Sequence, residues 1–350
     1  MQSYNTTVFS PRDCSPKALT RLTVGNPVLK IFMRILHRSF PLRPLAHSLV
    51  FLALFAGPRV YGAQAHAPSA RSSGFQGTAA LQLTHRATAF GERPSGSEAI
   101  QRLREWIVSE CKATGGQVSL DSFTGQTPSG PVPMANIMVK FPGNSGKAVV
   151  VTGHYDTKRI PMVHFVGAND AGSSTGFLIE FARAVSAIRH PDDIYVVFFD
   201  GEEAVVNWTE TDSLYGSRHL AAKWASDGTL ARIKALINVD MIGDKDLDLS
   251  DDEYSSQSLR QAVWKIADQL GDTKYFRHDP GGVEDDHKPF VDAGVNAIDI
   301  IDLDYGPRSQ EAPNGAYWHT AQDTMDKLSA HSFQVVGDVV LDLVKQLEQG

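Results

Sequence analysis

Short apolar runs of five to seven residues alternate with longer segments of helical periodicity over most of the chain. The apolar runs cover residues 136–141, 148–152, 194–199, 235–239 and 297–303, and the helical segments lie near 174–188, 217–224, 256–270 and 329–347. A run that is apolar throughout suits a strand buried on both faces, and helices between such strands carry the chain back across the sheet. The alternation therefore predicts an α/β fold with a central, mixed and mostly parallel β-sheet and helices on both faces.

Two further helical segments precede these strands. One covers about 76–89, and the second is introduced by a capping-box signature, Ser95 followed three residues later by Glu98, and continues to Cys111. Residues 66–74 are rich in Ala and Ser and poor in large apolar side chains, which predicts a flexible segment. Since no repeat and no linker interrupts residues 75–350, we predict that they form one domain.

The charge of the chain is unevenly distributed. The 350 residues include 33 basic and 40 acidic side chains, a formal net charge of −7, but residues 1–65 hold eight of the basic residues and one acid. Residues 66–350 thus carry 25 basic and 39 acidic side chains, a net charge of −14. An acidic body of this kind argues against a nucleic-acid partner, because binding to phosphates needs a basic surface.

The basic region 1–65 is organised like a leader with a secretory signal peptide. An apolar run of eight residues, 49–56, is preceded by three arginines and followed by small residues at the spacing that signal peptidases accept: Arg34, Arg38, Arg43, Ala63 and Ala65. Met33 is an alternative start that shortens the leader to an ordinary signal peptide. Because spanning a bilayer takes about 20 apolar residues, we predict cleavage, a secreted or periplasmic protein, and no stable membrane association afterwards.

Acidic and histidine side chains stand where the predicted strands end. They are His154 and Asp156, Asp170, Glu202 and Glu203, Asp240, and His319. The carboxyl ends of parallel strands meet at one edge of a sheet, and carboxylates gathered there without balancing Lys or Arg need a divalent cation. Histidine with Asp or Glu suits zinc, which keeps one position open in catalytic sites. The pattern therefore predicts a zinc centre, in which one of the adjacent glutamates binds metal and the other transfers protons.

The order of these residues resembles that of the co-catalytic zinc aminopeptidases and of their close relatives, the glutaminyl cyclases. The resemblance extends over residues 75–350 and implies a zinc-exopeptidase-like fold and a cyclase or aminopeptidase-like catalytic domain. Segment 200–220 is more similar to the cyclases, because Trp208 stands five residues after Glu203 and residues 212–216 read Asp-Ser-Leu-Tyr-Gly. Two further matches to the cyclases are the segments 284–290 and 318–320.

The resemblance is to the bacterial type of cyclase. Animal cyclases have a disulfide near the metal loop, whereas cleavage of the leader removes Cys14 and leaves Cys111 alone. Asp299 stands where the animal enzymes have a histidine in the final strand, so that supporting role is either lost or taken by Asp299. The segment 304–317 is long and is expected to reshape the substrate entrance.

The resemblance implies an enzyme that converts the N-terminal glutamine of peptides and proteins into pyroglutamate and releases ammonia. It assigns one catalytic zinc ion to three ligands, which are Asp170, Glu203 and His319. Glu202 would transfer protons, with Asp240 and Asp285 hydrogen-bonding around it. Trp208 and Trp318 would line the substrate pocket, and the glutamine side chain would fold against this aromatic wall.

Two alternatives remain open at this stage. A secreted two-zinc aminopeptidase would use His154 and Asp240, together with a bridging Asp170, to hold a second ion, whereas a one-zinc cyclase would keep the same residues around the first site. Asp156 and His287 are further candidates for that surrounding layer. The other alternative is a catalytically inactive relative that acts as a receptor, and the intact pair Glu202 and Glu203 argues against it. The sequence leaves the oligomeric state open.

Overall fold

The structure, a computed structural model, describes residues 74–350, which fall within one compact unit of the chain. The described helices are α1 (Gly77–Thr88), α2 (Glu98–Ala113), α3 (Gly172–Ser186), α4 (Tyr215–Ser226), α5 (Gln257–Leu270), α6 (Lys288–Asp292) and α7 (Ala330–Gln349). The strands are β1 (Gln117–Thr127), β2 (Gly130–Phe141), β3 (Ala148–His154), β4 (Asp193–Phe199), β5 (Ile233–Asp240), β6 (Leu249–Asp252), β7 (Phe276–Gly281) and β8 (Ala297–Ile301).

Six of the strands form one mixed sheet with the order β1-β2-β4-β3-β5-β8. The pairs β1–β2 and β2–β4 are antiparallel, whereas β3–β4, β3–β5 and β5–β8 are parallel. Strands β6 and β7 pair with each other in a separate two-stranded sheet. The predicted mixed, mostly parallel sheet is confirmed, and its four parallel strands end at the same edge.

Helices cover both faces of this sheet, as predicted. Successive side chains of a strand point to opposite faces, so each buried strand packs against elements on both sides. In β3, Val149 and Val151 pack into the larger core cluster with residues of α1, α2, α3, α5 and α7. Val150, which points the other way, packs into a second cluster with residues of α4 and α6, among them Leu220 and Phe290. A strand buried on both faces in this way needs the apolar run by which it was predicted.

The predicted capping box of α2 is wrong in its first residue. The N-cap is Ser97, whose side chain accepts a hydrogen bond from the backbone N–H of Ile100 at 3.2 Å. Ser95 lies before the helix and donates its hydroxyl to Oδ1 of Asp200 at 2.6 Å. A hydrogen bond to a buried carboxylate at the end of β4 thus takes the hydroxyl away from the helix terminus.

The leader 1–65 and residues 66–73 lie outside the described residues, so the signal peptide, the alternative start at Met33, the flexible segment and the domain boundary stay predictions. Within residues 74–350, none of the helices combines the length and the apolar character needed to span a bilayer.

Candidate metal centre

The edge at which the parallel strands end brings the predicted site residues together. His154 is the last residue of β3, Asp240 is the last residue of β5, and Glu202 and Glu203 follow the end of β4. Asp170 precedes α3, the helix that follows β3 in the chain. The strand register therefore gathers side chains that lie as much as 86 residues apart in the sequence, such as His154 and Asp240.

Three of these side chains converge on one point. Nε2 of His319 lies 3.1 Å from Oδ2 of Asp170 and 3.0 Å from Oε1 of Glu203, and the three candidate ligand atoms all lie within 4.8 Å of one another. Although burial favours the neutral ring, the charges of Glu203 and Asp170 raise the pKa of His319 to about 9. The two carboxylates thus stabilise positive charge here, and one imidazole nitrogen with two carboxylate oxygens fits a zinc ion with an open position.

The backbone around His319 adopts an unusual conformation. His319 has a φ of 54°, in the left-handed region that residues other than glycine rarely occupy. Its ring stacks on Trp318, with ring centroids 4.0 Å apart and planes inclined by 21°, and meets the edge of Phe165 at 5.8 Å. Such strain persists only where the surroundings enforce it, and here it keeps Trp318 against the candidate ligand.

Glu202 lies beside the three candidate ligands and is 6% exposed. Its Oε2 is 3.8 Å from Nδ1 of His154. Burial favours the neutral carboxyl, and the charges of Glu203 and Asp285 add to this effect, so the pKa of Glu202 lies well above its ordinary value despite the opposing charge of His154. A carboxyl group with a raised pKa suits proton transfer near neutral pH.

Asp156 holds the backbone of the paired glutamates. Its Oδ1 accepts a hydrogen bond from the backbone N–H of Glu202 at 3.1 Å, and its Oδ2 accepts one from that of Glu203 at 3.3 Å. On the other side, Nζ of Lys158 lies 3.0 Å from Oε2 of Glu203. These contacts fix the backbone of Glu202 and Glu203, so their side chains can point in different directions.

A second group of candidate ligands consists of His154, Asp170 and Asp240. Nε2 of His154 lies 3.1 Å from Oδ1 of Asp240 and 3.3 Å from Oδ1 of Asp170. Although burial favours the neutral ring, the charges of Asp240 and Glu202 raise the pKa of His154 well above its ordinary value. The geometry therefore admits a second ion, but a protonated His154 offsets the charge of both carboxylates without one.

Asp240 and Asp285 are both buried and line the same cavity as Glu202. Burial, followed by the charges of Asp285 and Asp170, raises the pKa of Asp240 to about 7 against the opposing charge of His154. Burial likewise raises the pKa of Asp285. Asp240 is therefore partly protonated at neutral pH, whereas for Asp285 burial only shifts the balance toward the neutral form.

His287 lies away from the candidate zinc ligands. Its Nε2 is 3.0 Å from Oδ2 of Asp252, and its Nδ1 is 3.9 Å from Oδ2 of Asp299. Asp299 in turn accepts a hydrogen bond from Nδ2 of Asn238 at 3.0 Å, and burial and the charge of Asp285 raise its pKa well above the ordinary value. His287 and Asp299 therefore form a layer behind Asp285 and do not face the metal position.

A cavity of about 560 Å³ opens over the candidate ligands. Its floor includes Asp170, Glu202, Glu203, Asp240, Asp285 and His319, and its walls include Val206, Trp208, Val283, Leu303 and Trp318. Trp208 is 39% exposed, and its indole N–H donates to Oε2 of Glu284 at 3.4 Å. The cavity thus combines a polar floor with an apolar, aromatic wall, as small-molecule sites commonly do.

Residues 136–344 match the family model described as peptidase family M28. The chain belongs to peptidase family M28. In this family M28 chain the matched range contains all three candidate zinc ligands, Asp170, Glu203 and His319.

The relatives of this M28 chain bear out the predicted resemblance to the cyclases. It is 30% identical over 266 residues to the glutaminyl-peptide cyclotransferase-like protein of Mus musculus, with 66% of each chain covered. It is 28% identical over 247 residues to the glutaminyl-peptide cyclotransferase of Drosophila melanogaster, which covers 63% of this chain and 67% of that protein. The chain thus spans about two thirds of the length of these curated relatives.

Solved structures of bacterial proteins match more of the M28 chain. The glutaminyl cyclase of an Acidobacteriales bacterium is 43% identical with a TM-score of 0.76, and the match covers 81% of this chain and 98% of that one. A Porphyromonas gingivalis glutaminyl cyclase is 27% identical with a TM-score of 0.71, covering 79% and 99%. A Zn-dependent exopeptidase from Parabacteroides distasonis is 27% identical with a TM-score of 0.68, covering 77% and 98%. The predicted zinc-exopeptidase-like fold is confirmed.

Sequence reasoning missed Asp323, which positions Asp170 in this M28 site. Its carboxylate accepts the backbone N–H groups of Asn169 at 2.8 Å and Asp170 at 3.2 Å, and the hydroxyl of Tyr305 donates to it at 2.8 Å. Burial and the charge of Asp170 raise its pKa to about 7. Asp323 stands four residues after His319 in a polar segment without helical or strand periodicity. The sequence pattern therefore gave no sign of its role.

Sequence reasoning also missed the structural role of Asp212, although the Asp-Ser-Leu-Tyr-Gly segment 212–216 contributed to the resemblance. Its buried carboxylate accepts three consecutive backbone N–H groups, those of Val205, Val206 and Asn207, at 2.8 to 2.9 Å. The hydroxyl of Tyr215 donates to the same carboxylate at 2.7 Å. Asp212 therefore shapes the loop that carries the exposed wall of the cavity.

Proposed function

We propose that this family M28 chain is a glutaminyl-peptide cyclotransferase, which converts the N-terminal glutamine of peptides and proteins into pyroglutamate and releases ammonia. The observation that carries the proposal is the position of Trp208 and Trp318 on the walls of the cavity whose floor holds the three candidate ligands. A glutamine side chain has to fold back on its own amino group, and an aromatic wall above a metal position favours that conformation. The 43% identity to a bacterial glutaminyl cyclase supports the same reading.

The residues that would hold zinc are Asp170, Glu203 and His319, because their ligand atoms converge within 4.8 Å at the floor of the cavity. When bound there, zinc would supply Lewis-acid polarisation of the γ-carboxamide. Glu202 is placed to take a proton from the α-amino group and then to give one to the departing amine, so that ammonia leaves. A bond forms between the α-nitrogen and the side-chain carbonyl carbon, the bond from that carbon to the amide nitrogen breaks, and no water is consumed.

The neighbours of Glu202 support its double role. A residue that accepts and later donates a proton works best when its pKa lies near the working pH. The pKa of Glu202 is raised by burial and by Glu203 and Asp285, and that of Asp240 is raised to about 7. The negative charge of Asp285 disfavours the ionised form of Glu202 and so helps to keep its pKa raised.

We further propose that the site holds one zinc ion. His154 does not belong to the cavity lining, and its Nε2 contacts Asp240 and Asp170 within 3.3 Å. A protonated imidazole in this position balances the carboxylates that a second ion would otherwise bridge. Metal analysis of the purified protein should give one zinc per chain, and two equivalents that fall to one in a His154→Gln variant would contradict this count.

The second candidate function is a two-zinc aminopeptidase, which the convergence of His154, Asp170 and Asp240 favours. The two functions separate in one assay. The purified protein is incubated with a peptide that begins with glutamine and, separately, with amino-acid anilides. Release of ammonia with the peptide otherwise intact supports the cyclotransferase, whereas release of free amino acids without ammonia would refute the proposed cyclotransferase activity.

We also propose export to the periplasm or the medium, which rests on the leader in residues 1–65. Export brings the enzyme to secreted peptides and proteins whose N-terminal glutamine is exposed after their own processing. N-terminal sequencing of the exported protein should find a start close to residue 66, and an intact leader on the exported chain would contradict the proposal.

A further inference from the structure

Glu284 lies at the mouth of the cavity and has no part in the chemistry described above. Its side chain is exposed, whereas the next residue, Asp285, is buried on the cavity floor. Oε2 of Glu284 accepts the indole N–H of Trp208 at 3.4 Å. This contact places a carboxylate against the exposed edge of the aromatic wall.

Glu284 lines the cavity through which the substrate chain of the proposed function would leave. In the proposed function, the α-amino group of the N-terminal glutamine lies against Glu202 and its neighbour Asp285. Consecutive Cα atoms are about 3.8 Å apart, so the Cα of the second peptide residue lies about that distance further from Glu202, towards the mouth of the cavity. Glu284 lies one residue from Asp285 along the protein chain and faces outward. We therefore infer that the second side chain of the substrate comes within reach of Glu284, which lines the outer part of the same cavity.

Apart from Asn207, the exposed residues around Glu284 at the mouth are mostly apolar. Val206 and Trp208 are 52% and 39% exposed, and Val283 and Leu303 line the same cavity. The exposed ring of Tyr254 packs against Gly282 of the cavity lining, where an added Cβ would come within 2.7 Å of it. An apolar rim accepts aliphatic parts of a side chain, so a lysine or arginine could lay its stem on the rim and direct its charge to Glu284.

No basic side chain among the described cavity-lining residues is left to attract an acidic substrate. Lys158 is the one lysine or arginine among them, and its Nζ lies 3.0 Å from Glu203. Outside the lining, Lys288 sits over the ring of Tyr254, and its ammonium pairs with Asp292 at 2.5 Å. The charge at the mouth is therefore negative, as is that of residues 66–350 as a whole.

We propose that Glu284 is a specificity-determining residue, which makes the enzyme prefer peptides with lysine or arginine after the N-terminal glutamine over peptides with glutamate or aspartate there. The inference rests on the proposed cyclotransferase activity and names its substrate class. Attraction of a cation and repulsion of an anion by one exposed carboxylate each change binding several-fold at most. Together they should give about a three- to tenfold higher kcat/KM for the basic peptide at low salt.

The test uses three peptides that differ only in their second residue, Gln-Ala, Gln-Lys and Gln-Glu, followed by the same neutral tail. Ammonia release is measured for the full protein, for Glu284→Gln and Glu284→Lys, and for Glu105→Gln. Glu105 is an exposed acid on α2 that does not line the cavity, so it is the matched control. The preference for Gln-Lys over Gln-Glu should shrink in Glu284→Gln, invert in Glu284→Lys and persist in Glu105→Gln.

Salt provides a second readout, because screening weakens an exposed charge pair. The preference of the unchanged protein should fall when sodium chloride is added, and the Gln-Ala rate should respond much less. Equal rates for Gln-Lys and Gln-Glu with Gln-Ala turned over, or an unchanged preference in Glu284→Gln, would overturn the role of Glu284 alone. Lack of ammonia release from Gln-Ala would overturn the proposed function and this inference with it.

Discussion

Glu202→Gln separates the two adjacent glutamates by function. The substitution keeps the shape of the side chain and removes its capacity to accept a proton. Oε1 of Glu203 lies 3.0 Å from Nε2 of His319, whereas the closest histidine contact of Glu202 is 3.8 Å, to His154. We therefore expect Glu202→Gln to lose turnover and to keep its zinc.

The expected loss is large because Glu202 is assigned two proton transfers. General acid–base catalysis contributes about 10²- to 10⁴-fold to a rate, and a residue that serves both steps belongs at the upper end. A 10³- to 10⁴-fold fall in kcat corresponds to about 4 to 5.5 kcal/mol, at about 1.36 kcal/mol for each factor of ten. The residual rate would come from orientation of the substrate and from the intact metal position.

The thermal stability of Glu202→Gln should stay the same or rise, although its activity falls. The pKa of Glu202 is raised in the folded protein, so its ionisation costs stability at every pH above the ordinary carboxyl pKa, and the cost is fully present above the folded-state pKa. Glutamine carries no charge and avoids this cost. The metal-free Glu202→Gln protein should therefore melt at the same temperature as the unchanged protein or higher, whereas a residue needed only for structure would lose stability together with activity.

The assay combines ammonia release, zinc content and thermal melting for Glu202→Gln and for Glu203→Gln. The matched variant Glu203→Gln should lose zinc and activity together, because it removes one of three convergent ligands. Loss of zinc from Glu202→Gln with retention in Glu203→Gln would mean that the two roles are exchanged. Turnover of Glu202→Gln within a few-fold of the unchanged enzyme would refute the proton-transfer role altogether.

Three further predictions follow from the same geometry. A chelator should abolish ammonia release and lower the melting temperature, because Asp170 and Glu203 then repel each other, and both effects should reverse on addition of zinc; activity that survives complete zinc removal would contradict this. Asp212→Asn weakens the cradle under the Trp208 loop, so KM should rise about tenfold while kcat stays within a few-fold, since hydrogen bonds to a charged group contribute about 1.5 to 3 kcal/mol; steady-state kinetics with the opposite split would refute the positioning role. The pKa of Glu202 lies well above its ordinary value, so kcat/KM should fall as the pH falls through that raised pKa and Glu202 gains a proton; the acid limb of the pH profile should shift in Asp240→Asn, because Asp240 and Glu202 both contact His154, and a flat profile would contradict the assignment.

The central strands could be predicted from the sequence because their burial leaves little choice of side chain. Every residue of β3 is buried, so the strand shows an uninterrupted apolar run. Strand β1 at the sheet edge is mostly exposed or half-buried and reads as a polar segment, and it escaped prediction for that reason. Strands β6 and β7 are short, pair outside the main sheet and carry no apolar run.

The candidate ligands could be found for a related reason. They stand at strand ends, and parallel pairing carries those ends to one edge whatever the loops do. Asp323 and Asp212 act instead on backbone N–H groups of loops, where neither period nor register constrains the sequence. The contact of Asp323 with Asp170 spans 153 residues of the chain, and only the folded loops define it.

The charge of the site accounts for His154 whether one zinc ion is bound or two. His154 lies between Asp240 and Asp170, with Glu202 3.8 Å from its other nitrogen. Without an imidazolium there, burial and mutual repulsion would raise the pKa of Asp240 and Glu202 further, and Glu202 would no longer accept a proton near neutral pH. A one-zinc enzyme therefore needs His154 as much as a two-zinc enzyme does. The ligand pattern cannot separate the two activities, whereas the residues of the cavity wall, Trp208 and Trp318, can.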